Sequence, residues 1–315
     1  MTTHHEIFPS PETVHWGVFN AAIPPVLEIS SGDTVTLHAV SGGADIMPNE
    51  ADGFEILPEH PVIHEKVPRG PSGHIMTGPV AVKGARAGDM LEIRITDVQL
   101  RQNWGWNRIR ALAGTLPEDF PETRLTHIKL DKDNMVAKLP WGVDLPLAPF
   151  FGVMGVAPPR EWGEISSVIP RAHGGNLDNK ELGAGATLFL PVFVDGGLFS
   201  AGDGHAVQGD GEVNGTAIET CLSGTFEIIL HRNAAPTMPR AETTEHYITT
   251  GIDPVLDNAA KQALREMIGL IQEKANLSKE DAYMLCSLAA DLRISQTVNV
   301  HKGVHVMLKK SALHG

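Results

Sequence analysis

The chain is poor in cysteine. Its 315 residues carry two, Cys221 and Cys286, and neither lies in a Cys-x-x-Cys pattern. A disulfide framework and a cysteine-rich zinc site are therefore excluded. Aromatic residues make up only 5%, and no stripe of Lys and Arg interrupts a formal net charge of −13. Without a basic footprint, neither nucleic acid nor an anionic membrane is an expected partner. No apolar run approaches the roughly 20 residues that cross a bilayer as a helix. The start, Met1 to Glu6, lacks the charged-then-apolar layout of a signal peptide, so a cytoplasmic location is expected. Familiar catalytic signatures are missing too. There is no Gly-x-Ser-x-Gly elbow, which argues against an α/β-hydrolase, and no Ser-x-x-Lys motif. Cys221 reads as a small residue beside a strand, and nothing supports a nitrilase-type Cys–Glu–Lys site.

What is abundant is punctuation: 32 Gly and 22 Pro in a chain that is 42% hydrophobic. No low-complexity tract explains them, so they read as turns in a strand-rich protein. Val26–Ile29 leads through Ser31-Gly32-Asp33 into the alternating, β-branched run Thr34–Val40. Val80–Gly84 leads through Ala87-Gly88-Asp89 into Met90–Val98, and Leu188–Val194 is followed by Ala201-Gly202-Asp203. A fourth long strand fits Thr216 to His231, with a turn or bulge at Gly224. Residues 99–150, with Trp104-Gly105-Trp106 and the Pro-rich Leu139–Pro149, read as long loops.

After about residue 250 the character changes. Asp253-Pro254 reads as a helix start, and Leu256, Ala260, Leu264, Met267 and Ile271 follow helical spacing to a stop at Asn276. Ser278 with Asp281 forms a shortened capping box. Ala282, Leu285, Leu288 and Leu292 give a second stripe, with Met267 and Met284 as core filler. Val298–Leu308 returns to strand. The expected fold is mainly β, sandwich-like with CUB- or jelly-roll-like sheets, plus an added α+β part and a C-terminal helix hairpin. Residues 1–250 would form the catalytic core, and 251–315 would pack on it in one compact unit.

Most histidines, including His4, His5, His60, His64, His231 and His314, have no polar cluster around them in sequence. Two stretches differ: His173-Gly174-Gly175-Asn176-Leu177-Asp178 and Gly202-Asp203-Gly204-His205-Ala206-Val207-Gln208-Gly209-Asp210-Gly211-Glu212. Glycine lets the backbone turn tightly, so several side chains can converge on one point. Imidazole with carboxylate suits a Zn²⁺-type ion, while carboxylate with amide or carbonyl oxygen suits Ca²⁺ or Mg²⁺. A tight Gly-Asp-Gly loop with no ligand is the competing explanation. The spacing matches no His-Glu-x-x-His signature.

These two stretches, with His15-Trp16-Gly17, Gly73–Val80, Pro149–Pro158 and Leu198–Glu212, resemble the acetamidase/formamidase family over most of the chain. The resemblance implies a sandwich-like β fold with an added α+β part. It also implies hydrolysis of short amides to ammonia and a carboxylate, a bound divalent metal, and a homo-oligomer such as a dimer or tetramer. Under it, Asp203 and His205 would bind the catalytic ion, with His173 as a further ligand. Asp178 and Asn176 would complete that site or hold a second ion such as Ca. Glu212 would act as base for the water, and His74 would orient the carbonyl. Gln208 and Asp210 would hold the ligands in place, and His15 would serve either a structural or a supporting role. Two rivals stand beside this reading: hydrolysis of another C–N bond, in a cyclic amide or urea-like compound, and a non-catalytic Ca-dependent β-sandwich binding module.

Overall fold

The computed structural model describes residues 2–313; His314 lies outside them. Two large sheets face each other. The first has nine strands in the order His4–Ile7, Thr34–His38, Leu222–His231, Met90–Leu100, Thr187–Pro191, Arg240–Glu242, His246–Asp253, Lys302–Lys309, Ala290–Gln296. The second runs Asp144–Pro146, Val136–Lys138, Arg124–Asp131, Trp104–Ile109, Ile218–Thr220, Phe199–Val207, Phe150–Gly155, Gly174–Asn176. The strand Ile75–Val82 joins it beside Phe199–Val207 and carries Val14–Trp16 and Leu27–Ile29. One core fills the space between the sheets, with Val35, Leu91, Ile93, Phe226 and Ile228 from the first against Val80, Phe151, Met154 and Phe199 from the second. Each such fully buried side chain is worth about 1.5–3 kcal/mol, more than any turn contact, so this layer holds the sandwich together.

The first two Gly-Asp turns form as expected. Gly32 and Gly88 take the positive φ angles that glycine favours (+89° and +93°). The Asp33 and Asp89 carboxylates accept the N–H of Ser30 and Arg86, closing each turn. The third does not form. Ala201-Gly202-Asp203 lies inside the strand Phe199–Val207, buried for all but its last residue. Its glycines serve close approach instead: a Cβ on Gly202 would sit 2.2 Å from the Ile75 carbonyl oxygen, and one on Gly204 2.5 Å from that of Thr220.

Two other expectations are corrected. Residues 99–150 are not long loops. They hold an antiparallel meander that extends the second sheet, with Trp104 and Trp106 buried on its first strand. The long strand from Thr216 to His231 is two strands, which change sheets at Cys221. Gly224 is needed there because a Cβ would meet the Phe151 ring at 2.4 Å.

Near the C-terminus, helices Leu256–Ala275 and Lys279–Ala289 cover the far end of the first sheet. Ala263, Met267 and Ile271 pack on Val304, Val306 and Leu308. Asn276 caps the first helix in left-handed conformation, and the Ser278 hydroxyl accepts the Asp281 N–H. The second helix is shorter than its apolar spacing suggests. Leu292 already lies in the strand Ala290–Gln296, and Met284 and Leu288 are exposed rather than core. Asp253 ends a strand and does not cap the helix; its carboxylate accepts the Val255 N–H in the turn before it. No described helix is long and apolar enough to cross a membrane.

Candidate active site

The strand Phe199–Val207 sits between Phe150–Gly155 and Ile218–Thr220 and fixes the centre of the site. His205 is registered opposite Phe150 on one side and Glu219 on the other. Directly opposed side chains on antiparallel strands lie close enough to interact. His205 Nε2 is 3.3 Å from Glu219 Oε2, 3.3 Å from Asp203 Oδ2 and 3.9 Å from Asp178 Oδ1. Two groups of potential ligand atoms share this histidine: Asp178, Asp203 and His205, and His205, Glu212 and Glu219. Within each group the atoms lie within 4.8 Å of one another.

Three of these carboxylates are carried on strained backbone. Asp178, Asp203 and Glu212 have φ of +43°, +58° and +44°. Such conformations cost of order 1–3 kcal/mol each in non-glycine residues and persist where the surroundings enforce them. Here they turn side chains from three separate segments toward one point. Gly152 keeps that point open. It falls opposite Asp203 between registered pairs, and a Cβ there would sit 2.5 Å from Asp178 Oδ1, 2.6 Å from His205 Cε1 and 2.7 Å from Asp203 Oδ2.

The electrostatics are those of a site short of positive charge. Burial pushes the Asp178 and Glu219 carboxyls up to about 7. Burial, and then Asp178, pushes Glu212 well above the usual carboxylate range. Burial also opposes charge on His205 and Asp203. Even so, Glu219 and Asp203 hold the His205 imidazolium well above the usual histidine range, and His74 and His205 hold Asp203 well below the usual carboxylate range. His205 Nε2, Asp178 Oδ1 and Glu219 Oε2 are buried yet make no hydrogen bond of good geometry. Buried polar atoms are almost always satisfied, so this convergence of unpartnered donors fits a cation ligated by one imidazole and several carboxylates.

His74 stands beside the cluster, its Nε2 4.0 Å from Asp203 Oδ2. Its Nδ1 meets Ser167 Oγ at 3.0 Å, Ser167 Oγ meets Ser72 Oγ at 2.6 Å, and the His74 backbone N–H donates to Ser72 Oγ. Each hydroxyl can donate once if Ser72 donates to Ser167 and Ser167 to Nδ1, which leaves the proton on Nε2. Burial lowers the His74 pKa and keeps the ring neutral.

Asp203, Glu212, Glu219, His74, Asn176 and Asn299 line the buried side of a cavity of about 220 Å³. Asn176 contributes a buried, unpartnered Oδ1. Gln208 holds the cluster from behind, donating to the Asp178 and Ser295 carbonyls. Asn299 Nδ2 donates to Asp178 Oδ2. The C-terminal segment thus reaches the site through Ser295 on the strand Ala290–Gln296 and Asn299 in the loop after it.

Three expected residues lie elsewhere. His173 is fully buried, its ring edge-on to Phe19 and Trp162, with neither nitrogen partnered; burial lowers its pKa to about 3. Asp210 is half-exposed and pairs with Lys180 at 3.1 Å. His15 bridges the Val18 carbonyl and Ser200 Oγ, outside the His205 cluster. Sequence reasoning missed Glu219, Asn299 and Gly152. Glu219 was visible as a lone carboxylate in Ala217-Ile218-Glu219-Thr220-Cys221-Leu222, since charge in a buried strand is rare without a partner. Nothing local marks Asn299. Burial pushes the Cys221 thiol up to about 12, so it is no nucleophile.

The family model for acetamidase/formamidase matches residues 11–166 and 163–309. The chain belongs to the acetamidase/formamidase family. This family member is similar in structure to an acetamidase from Bacillus halodurans, with TM-score 0.84 and 32% identity over 98% of this chain and 100% of that one. An acetamidase from Yersinia enterocolitica gives TM-score 0.87 at 27% identity, over 100% of this chain and 94% of that one. A formamidase from Methylophilus methylotrophus is 29% identical over 196 residues, 44% of this chain and 47% of that protein. The chain spans about half the length of the curated relatives it matches.

Proposed function

We propose that this protein hydrolyses small linear amides to ammonia and a carboxylate, with a divalent cation at the His205 cluster. The carrying observation is the cavity itself. At about 220 Å³ it is smaller than the roughly 300–1,000 Å³ that takes drug-sized ligands, and its buried side is formed by the carboxylates and His74. Asp203, His205, Asp178 and Glu219 would hold the ion. When bound, it supplies a Lewis acid for the carbonyl and lowers the pKa of a water. With the cation's charge beside it to keep its carboxylate ionised against burial, Glu212 would take a proton from the attacking water and return it to the departing nitrogen. His74 donates from Nε2 to the carbonyl oxygen and orients it.

The single imidazole favours a Zn-type ion, and the surplus of carboxylates leaves room for a second, Ca-type ion. The exposed apolar side chains Leu112, Leu116 and Phe120 support a homo-oligomer. The free cysteines suit the cytoplasm.

Replacing Asp203 or His205 by alanine tests the reading. Each variant is expected to lose bound metal and about 100-fold or more of its ammonia release from formamide or acetamide. Unchanged metal content together with unchanged activity would defeat it.

A further inference from the structure

The two sides of the cavity carry opposite charge. The buried side holds Asp203, Glu212 and Glu219, whereas the open side holds Arg69, Arg108 and Arg110. Among the described residues the only carboxylate paired with these three arginines is Asp45. It binds Arg69 Nη1 at 3.2 Å through one oxygen and Arg108 Nη1 at 2.8 Å through the other. Arg110 is exposed, and its guanidinium has no ion-pair or hydrogen-bond partner among the described residues. Three guanidiniums against one carboxylate leave the mouth positive on a chain whose formal net charge is −13.

The simplest amides carry no anionic group for such a mouth to pair with. Guanidinium presents a planar fork of donors that matches a carboxylate in two parallel hydrogen bonds. Within a screening length of about 8 Å at physiological salt, that local charge dominates over the distant acidic surface. Arg110 and His74 line the same cavity.

We propose that the preferred substrate is an amide bearing a carboxylate at its far end, the monoamide of a short dicarboxylic acid, with Arg110 as the residue that selects it. This rests on the amidase reading above and names its substrate class. The amide enters toward Asp203 and His74 while its carboxylate stays at the mouth on Arg110. Water adds its oxygen to the amide carbonyl carbon, the C–N bond breaks, and both protons of the water leave with the nitrogen as ammonium, giving the dicarboxylate.

Succinamate and the neutral butanamide separate the two cases. Their kcat/KM values are measured for wild type, Arg110→Gln and Arg110→Lys, with succinamate binding followed in parallel by calorimetry. A charge-assisted pair is worth about tenfold or more, so wild type should prefer succinamate by about that factor. Arg110→Gln should erase the preference, and Arg110→Lys should keep part of it. Equal or better use of butanamide by wild type, or an unchanged ratio in Arg110→Gln, would overturn the inference and leave the amidase reading intact. If neither amide releases ammonia, the amidase reading falls and calorimetry still decides the inference. Binding weakened about tenfold in Arg110→Gln supports it, and binding that is absent or unaffected overturns it.

Discussion

Gly152→Ala is expected to abolish ammonia release while leaving the sandwich folded. The glycine does not occupy a left-handed conformation, so backbone strain is not the issue. The obstacle is space: the new methyl would lie 2.5–2.7 Å from atoms of Asp178, His205 and Asp203 at once. All three side chains are buried, Asp203 and His205 on one strand and Asp178 just beyond another, and they cannot all retreat. Moving a catalytic group by about 1 Å costs on the order of 100-fold in rate, and here three groups move together. Ammonia release should therefore fall by about 100-fold or more, and metal content should fall with it. Circular dichroism and the cooperative unfolding transition should persist. An active Gly152→Ala enzyme would mean that the chemistry lies elsewhere.

The second large effect concerns acid. His15, His60 and His305 are buried and kept neutral, burial being the main cause, with pKa lowered to about 4 from 6.5. Each histidine takes up its proton more readily in the unfolded chain. The stability it contributes is present in full above pH 6.5 and is lost as pH falls toward 4. At about 1.4 kcal/mol per pKa unit, the three together approach roughly 10 kcal/mol as an upper bound, comparable to a typical whole-domain stability of about 5–15 kcal/mol. Asp178 and Glu219 work in the opposite direction. Their raised values favour the folded, ion-free state below their unfolded pKa, and that advantage disappears as pH rises through about 7. A bound cation keeps them ionised and removes this compensation. Urea midpoints between pH 4 and 7.5 should therefore fall steeply with acid for metal-loaded protein and more gently after chelation. A flat profile for the loaded protein would contradict the burial of these histidines.

Much of the fold is visible in the sequence because local physics governs it. Alternation gives the strands Thr34–His38 and Met90–Leu100, helical spacing gives Leu256–Ala275, and Ser278 gives the cap of the next helix. Failures occur where tertiary contacts override local pattern. Gly202-Asp203-Gly204 has turn composition, yet neighbouring backbones need its missing Cβ atoms, so it forms the middle of a strand. Trp104 and Trp106 lie in a segment of loop-like composition but are buried in the meander. Leu288 keeps helical spacing on a face that nothing covers.

The site follows the same rule. Asp203, His205, Glu212, Asp178 and Gln208 come from two Gly-rich stretches and do converge, because glycine-permitted strand packing brings them together. His173 and Asp210 belong to the same stretches but point into an aromatic pocket and toward Lys180. Glu219 comes from a third strand through register with His205. Asn299 comes from the loop between the last two strands through a long-range contact that no local pattern announces.

The central claim is that a divalent cation at the His205 cluster drives amide hydrolysis, and elemental analysis of the purified protein alongside ammonia release tests it most directly. The expected result is about one tightly bound divalent ion per chain, loss of activity on its removal by a chelator, and recovery when it is restored. Full amidase activity in protein shown to be free of divalent metal would contradict the claim.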